Sequence, residues 1–221
     1  MSLCYTYPKT STDLFFFFNS RLLSEVKIKD MASLRRAIQV MHKRYGVPHI
    51  VITSVSLSHP DHPSSSLSVV GSTMTSDHQE RAFKIVFPAI DCYFSGTGDM
   101  FAALMVVRMR EAVCKEGEEL MTTESWRSDD GVDALDLPLA KAAEKVLASM
   151  HEVLTKTSEM MDQKMKRVRD EAAREEGGEM VEGEGGKTRV RLLQSKAAEL
   201  RLVRHVDSLR FPNVEFRATR M

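Results

Sequence analysis

Residues 91–104 read Asp-Cys-Tyr-Phe-Ser-Gly-Thr-Gly-Asp-Met-Phe-Ala-Ala-Leu, a glycine-rich turn set directly against an apolar helical run. No other stretch of the chain restricts its fold as tightly. Gly96 and Gly98 carry no Cβ, so a ligand can come close to the backbone there. The first amides of the helix that follows have no intrahelical acceptors, and such amides bind anions. Asp99, fixed beside them, can take a proton from an alcohol while the amides stabilise charge on a transferring phosphoryl group. A Gly-Thr-Gly-Asp tetrapeptide alone usually marks only a strand-to-helix turn, so the surrounding residues have to carry the reading.

At 221 residues and 43% hydrophobic content, the chain can bury one substantial core. Its 31 basic and 31 acidic side chains cancel, so no global field recruits nucleic acid or an anionic membrane, and only local clusters could act. Cys4, Cys92 and Cys114 are odd in number and match no zinc spacing, which predicts reduced thiols and a cytoplasmic location. The aromatic run 14–18 is too short to span a bilayer. No repeat of solenoid length is present.

Apolar residues Met31, Leu34, Ala37, Ile38 and Met41 recur at helical spacing and predict an amphipathic helix from Asp30, a plausible N-cap, to about Tyr45. Gly46 and Pro48 end it, and 49–53 is a β-branched run suited to a buried parallel strand. Residues 57–66 form a loop, and 67–72 and 81–87 read as two strands pairing antiparallel across a polar turn. His59, His62 and His78 fall in this loop and turn without the partners of a metal set, so they read as exposed. A helix from about Asp99 to Lys115 is apolar almost all round over 100–107, which predicts complete burial. Residues 116–136 read as an exposed insertion, 137–168 as a long amphipathic helix and 169–187 as a flexible, low-complexity insertion. Residues 188–194 read as a strand, and 214–218 as another strand or an extended tail.

The stretch Phe94-Ser95-Gly96-Thr97-Gly98-Asp99, followed by Met100, Phe101, Ala102 and Ala103, resembles the pyridoxal kinases of the ribokinase-like superfamily position by position. Val51-Ile52-Thr53-Ser54 is similar to the family's strand end at the nucleotide, Leu193-Gln194-Ser195-Lys196 to a signature near its C-terminus, and 143–154 to a late helix. The resemblance runs over roughly 22–218 and corresponds to the C-terminal half of the family domain. It implies an α/β fold, a three-layer sandwich with a mostly parallel central sheet, truncated on its N-terminal side. Residues 1–21 are expected to be an unrelated or disordered leader, and 22–221 a partial domain. The abrupt loss of likeness before Leu22 suggests a truncated product with a foreign leader. Aligning back from Leu22 puts Phe16 and Asn19 where the family carries an Asn and a Glu that help to hold the phosphates and Mg²⁺.

By the same resemblance, Thr53, Ser54, Ile90, Phe94, Ser95 and 96–98 meet ATP, with Gly96, Thr97 and Gly98 as the anion hole. Asp99 is the base at the 5′-hydroxyl of pyridoxal, pyridoxine or pyridoxamine. Mg²⁺ accompanies ATP, and a monovalent cation, K⁺ or Na⁺, has Thr53 as its ligand. The implied partners are the small-molecule substrate and a second copy in a family-type homodimer whose interface is incomplete here; neither nucleic acid nor membrane is expected. Two alternatives stand beside this reading: a hydroxymethylpyrimidine-type kinase, and a non-catalytic nucleotide-binding or interaction fragment.

Overall fold

The computed structural model describes residues 14–16, 24–57, 65–92, 94–174, 199–200 and 202–221. Two compact units are present. The first comprises the described residues through Ala89, Ala102–Leu147 and Val214–Met221; the second comprises those of Ile90–Phe101 and Ala148–Asn213.

The first unit is built on one five-stranded sheet in the order β1 (Leu14–Phe16), β2 (His49–Val55), β3 (Ser66–Met74), β4 (Glu80–Pro88) and β5 (Thr219–Arg220). Only β1 and β2 run parallel; the β2–β3, β3–β4 and β4–β5 pairs are antiparallel. The α/β class holds, but the expected mostly parallel sheet does not. The connections give the reason. A parallel pair needs a crossover of a dozen or more residues; the passage from β1 to β2 supplies one with helix α1 (Met31–Tyr45), no described helix lies between β2 and β3 or between β3 and β4, and the long helical passage from β4 returns to its edge in the antiparallel sense as β5. The turn at 75–79 folds β4 back on β3, with Thr75 N–H donating to the Gln79 carbonyl at 2.9 Å.

Helix α1 begins and ends where its sequence requires. Asp30 accepts from Ser33 N–H at 2.7 Å, and Ser33 Oγ accepts from Asp30 N–H at 3.0 Å, a reciprocal cap. Gly46 closes the helix in a left-handed conformation (φ 63°) and donates to the His42 carbonyl at 3.0 Å. Between these caps Leu34, Ile38 and Met41 pack with Ile50, Ile52, Val55 and Val70 of the sheet. Each side chain so buried contributes about 1.5–3 kcal/mol. The opposite face of the sheet carries Val51, Val69, Phe83 and Ile85, which are also buried.

Gly71 sits opposite Phe83, whose ring lies over the glycine backbone: a Cβ built there would come within 2.3 Å of the ring. Two buried histidines pin neighbouring positions. His42 donates from Nδ1 to the Val47 carbonyl (2.6 Å) and accepts at Nε2 from Ser72 Oγ (2.8 Å). His49 donates from Nε2 to the Ser125 carbonyl (2.7 Å) and accepts at Nδ1 from Thr73 Oγ1 (2.9 Å). A carbonyl can only accept, so each contact fixes one neutral tautomer. Burial lowers the pKa of both rings, that of His49 to about 4.

Helix α2 (Thr97–Glu116) follows the glycine turn. It buries Met100, Phe101, Met105, Met109, Ala112 and Val113, but Val106 and Val107 are 52% and 54% exposed. The expectation of burial on every side is therefore corrected to burial of one face; a uniformly apolar sequence does not say how many neighbours the helix has. The 116–136 stretch carries α3 (Glu118–Thr122) and a 3₁₀ turn, Glu124–Trp126. Arg81 of β4 ties it to the sheet by donating to the Ser128, Asp129 and Val132 carbonyls as well as to Thr73 and Met74. Helix α4 (Pro138–Arg174) continues past Val168, so the first residues expected to be flexible are helical. Buried Glu144 of α4 accepts from Arg217 (3.0 Å) and from Ala218 N–H (2.9 Å), which delivers β5 to the edge of β4. In the second unit, α5 (Val206–Arg210) follows the 3₁₀ turn Leu202–His205. The expected strand at 188–194, His59, His62 and Cys4 lie outside the described residues; His78 is exposed, and Cys92 and Cys114 are free thiols.

Two outcomes follow from this packing. Gly71→Ala is expected to destabilise the fold by about 1–3 kcal/mol because the ring of Phe83 must move, and Phe83→Leu in the same chain should recover part of the loss; an unchanged melting temperature in Gly71→Ala would refute the contact. His49 adds stability above its unfolded pKa of 6.5 and loses it as pH falls towards its folded value, because only the unfolded chain binds the proton in that window. Urea unfolding should show a loss of about 2 kcal/mol between about pH 7.5 and about pH 5 from this residue. His49→Gln should remove that part of the slope, and equal slopes in both proteins would exclude His49 as its source.

Candidate functional site

The glycine turn forms the start of α2 as the spacing predicts. Gly96 takes a left-handed conformation (φ 81°), which an L side chain rarely adopts. Its carbonyl accepts the first helical hydrogen bond, from Met100 N–H at 3.0 Å, so Gly96 stands at the N-cap. A glycine cap has no side chain of its own to reach back to the leading amides of the helix, among them those of Thr97 and Gly98. A Cβ added at Gly96 or Gly98 would meet nothing within 4 Å, so the space over the turn is open. An anion approaching along the helix axis would find peptide N–H groups and the positive end of the helix dipole.

Asp99 lies in the first turn of α2 and is exposed, while Met100 and Phe101, next along the chain, are buried. The carboxylate is thus carried on a backbone whose following residues are locked by packing. Its place at the opening of the helix is also where the dipole favours negative charge.

The approach to the turn is held separately. Cys92 N–H donates to the Ile90 carbonyl at 2.8 Å, Cys92 Sγ lies 3.9 Å from Met161 Sδ of α4, and Ser95 makes a parallel bridge with Glu199. Burial and the nearby Asp162 and Asp91 carboxylates raise the Cys92 thiol pKa, so it stays protonated and unreactive at neutral pH. Ile90 and Phe94 are half-buried, and Ser95 is exposed. These residues and 96–99 belong to the second unit.

Thr53 and Ser54 belong to the first unit. Ile52 pairs with Val70 and Val55 with Ser68, so Thr53 and Ser54 together oppose Val69 in a β-bulge. Ser54 has a φ of 56° and is exposed, while Thr53 is half-buried. A non-glycine residue held in the left-handed region costs of order 1 kcal/mol, and such strain gathers at binding and catalytic positions. The run of β-branched residues announced the strand but gave no sign of the bulge. Nor did any local signal announce the bridge between Ser95 and Glu199, which are distant in sequence. The 193–196 signature lies outside the described residues.

Among the described residues no group of three or more His, Cys, Asp or Glu side chains could hold a metal ion, and no helix is long and apolar enough to cross a membrane.

No family model matches the chain. Among curated proteins it is 29% identical over 143 residues to a Schizosaccharomyces pombe protein named "Putative pyridoxal kinase", a match covering 64% of this chain and 40% of that protein. It is 35% identical over 88 residues to the pyridoxal kinase of Dictyostelium discoideum, covering 38% of this chain and 28% of that protein. The chain therefore spans well under half the length of these relatives. Its fold matches that of the Leishmania donovani pyridoxal kinase in complex with ADP and pyridoxamine, with a TM-score of 0.57, 21% identity, and coverage of 95% of this chain and 52% of that one. In sequence and in fold alike, the chain is similar to pyridoxal kinases.

Proposed function

We propose that this chain carries the phosphoryl-transfer part of an ATP-dependent pyridoxal kinase of the three-layer ribokinase-like class, acting in the cytoplasm on the 5′-hydroxyl of pyridoxal, pyridoxine or pyridoxamine. One observation supports this above the rest. An open glycine turn caps α2 without a side chain, and an exposed carboxylate follows within the first helical turn.

In this reading the Gly96, Thr97 and Gly98 amides stabilise the negative charge that spreads over the transferring γ-phosphoryl oxygens. The Asp99 carboxylate accepts the proton of the 5′-hydroxyl, whose oxygen bonds to the γ-phosphorus as the bond from that phosphorus to the bridging oxygen breaks. ADP leaves, and the vitamer 5′-phosphate is formed. The resemblance assigns Ile90, Phe94 and Ser95 to the nucleotide, Thr53 and Ser54 to its phosphates, and Thr53 to a monovalent cation. The bulge and left-handed backbone at these last two residues fit a strand end shaped for a ligand. Mg²⁺ would enter with the triphosphate, whose charge it neutralises.

The decisive measurement is turnover of ATP and pyridoxal by the purified chain beside Asp99→Ala. Loss of a general base lowers turnover by about 10²–10⁴, with nucleotide binding changed by less than about threefold; equal activity in the two proteins removes Asp99 from the mechanism. Gly98→Val separates a binding role from a structural one. The added side chain has room in the free protein, so the melting temperature should hold while ATP affinity falls by about tenfold, equivalent to about 1.4 kcal/mol. Unchanged ATP affinity would rule out the turn as the anion hole.

A further inference from the structure

Helix α1 has an outer face that the phosphotransfer reading does not use. Together with the segment before it, this face forms a groove lined by Val26, Lys27, Arg36, Val40, Lys43 and Arg44. Val26 and Val40 are half-buried, and the four cationic side chains are exposed. The groove combines an apolar floor with a basic rim in a chain whose net charge is zero.

Its walls are held in place. Arg44 Nη1 donates to Glu25 Oε1 at 3.0 Å, joining the end of α1 to the segment that supplies Val26 and Lys27. Gln39, which also lines the groove, ties α1 to the β3–β4 hairpin: its Nε2 donates to the His78 carbonyl (2.7 Å) and its Oε1 accepts from Glu80 N–H (2.9 Å), while Arg35 pairs with Glu80 at 2.6 Å. A partner would meet a preformed surface and spend little on ordering it.

We propose that this groove docks an acidic amphipathic helix of a partner protein. Charge complementarity selects an acidic occupant. Spacing selects a helix. Arg36 and Lys43 stand seven residues apart on α1, about 10.5 Å along its axis, with Val40 between them. A second helix repeats its own face at the same seven-residue interval, so acidic residues at i and i+7 with leucines at i+3 and i+4 meet the two cations and the valine together. On a strand, side chains that share a face are separated by even numbers of residues, which gives about 6.6 or 13 Å and misses that distance. The apolar floor also distinguishes the groove from a flat cationic surface suited to phosphate backbones or headgroups.

The test uses the full chain and a fluorescein-labelled helical peptide carrying that Glu and Leu pattern over three heptads, beside the same peptide with Gln for Glu. Polarisation should show binding that weakens at least threefold as salt rises from about 0.05 to about 0.3 M. It should also weaken at least tenfold in the Lys27→Glu, Arg36→Glu, Lys43→Glu protein and several-fold in Val40→Ser, with the Gln peptide at least tenfold weaker. Should the triple variant lose helical signal, Arg36→Gln with Lys43→Gln replaces it, and a threefold loss is expected. Equal binding by wild type and variant overturns the proposal, as do absence of peptide binding and equal binding of the Gln peptide. Tighter, variant-sensitive binding of a 20-nucleotide single strand or of phosphatidylserine vesicles overturns it in favour of a nucleic-acid or membrane surface.

Discussion

The first unit depends on the β2–β3–β4 ladder, because there, among the described residues, the backbone hydrogen bonds of three long segments are satisfied while both faces bury apolar side chains. An unpaired peptide group in that position would cost as much as a whole net hydrogen bond returns, or more. Everything around the ladder is arranged to keep it closed. Gly71 leaves room for the Phe83 ring, His42 and His49 reach Ser72 and Thr73 on β3, and Arg81 gathers the carbonyls of the following stretch beside it. The polar groups buried near the ladder are thus its ties to helix and loop rather than a separate site. They also explain why His42 and His49 stay neutral: each ring already spends one N–H on a carbonyl, and a second proton would place a charge where water cannot reach.

Much of this was legible in the sequence wherever the determining interactions are local. Asp30 announces a helix start, Gly46 its stop, and the three- and four-residue spacing of Leu34, Ile38 and Met41 the face between them. Two strand-forming runs on either side of a polar turn announce the β3–β4 hairpin. The turn at Gly96 was legible because its chemistry is a backbone property: a missing Cβ makes that φ cheap and leaves the space above it open.

What was illegible depends on residues remote in sequence. The direction of the strands follows from connections rather than from strand composition, and a buried strand reads alike whether its neighbour is parallel or antiparallel. The exposure of Val106 and Val107 depends on what lies beside α2, of which an apolar run carries no record. The bulge at Thr53 and Ser54 adds a residue to β2 relative to β3, and only the pairing reveals it. Arg81 could not be recognised as a tie because its acceptors are backbone carbonyls, which every residue possesses.

The outer face of α1 shows how far folding alone accounts for a surface. The helix needs its apolar stripe, its Asp30 cap and its Gly46 stop, and basic residues in its last turn complement the dipole, which accounts for Lys43 and Arg44. Arg35 is accounted for by its pair with Glu80. Arg36 is different. It lies in the second turn, beyond the main reach of the helix dipole, and among the described residues it forms no ion pair within salt-bridge distance, only a longer-range attraction to the Asp30 cap. A neutral helix former there would cost folding little, because an exposed attraction at that range contributes only weakly. The cation at this position, in line with Lys43 across Val40, is what a ligand of opposite charge requires and what the fold by itself does not.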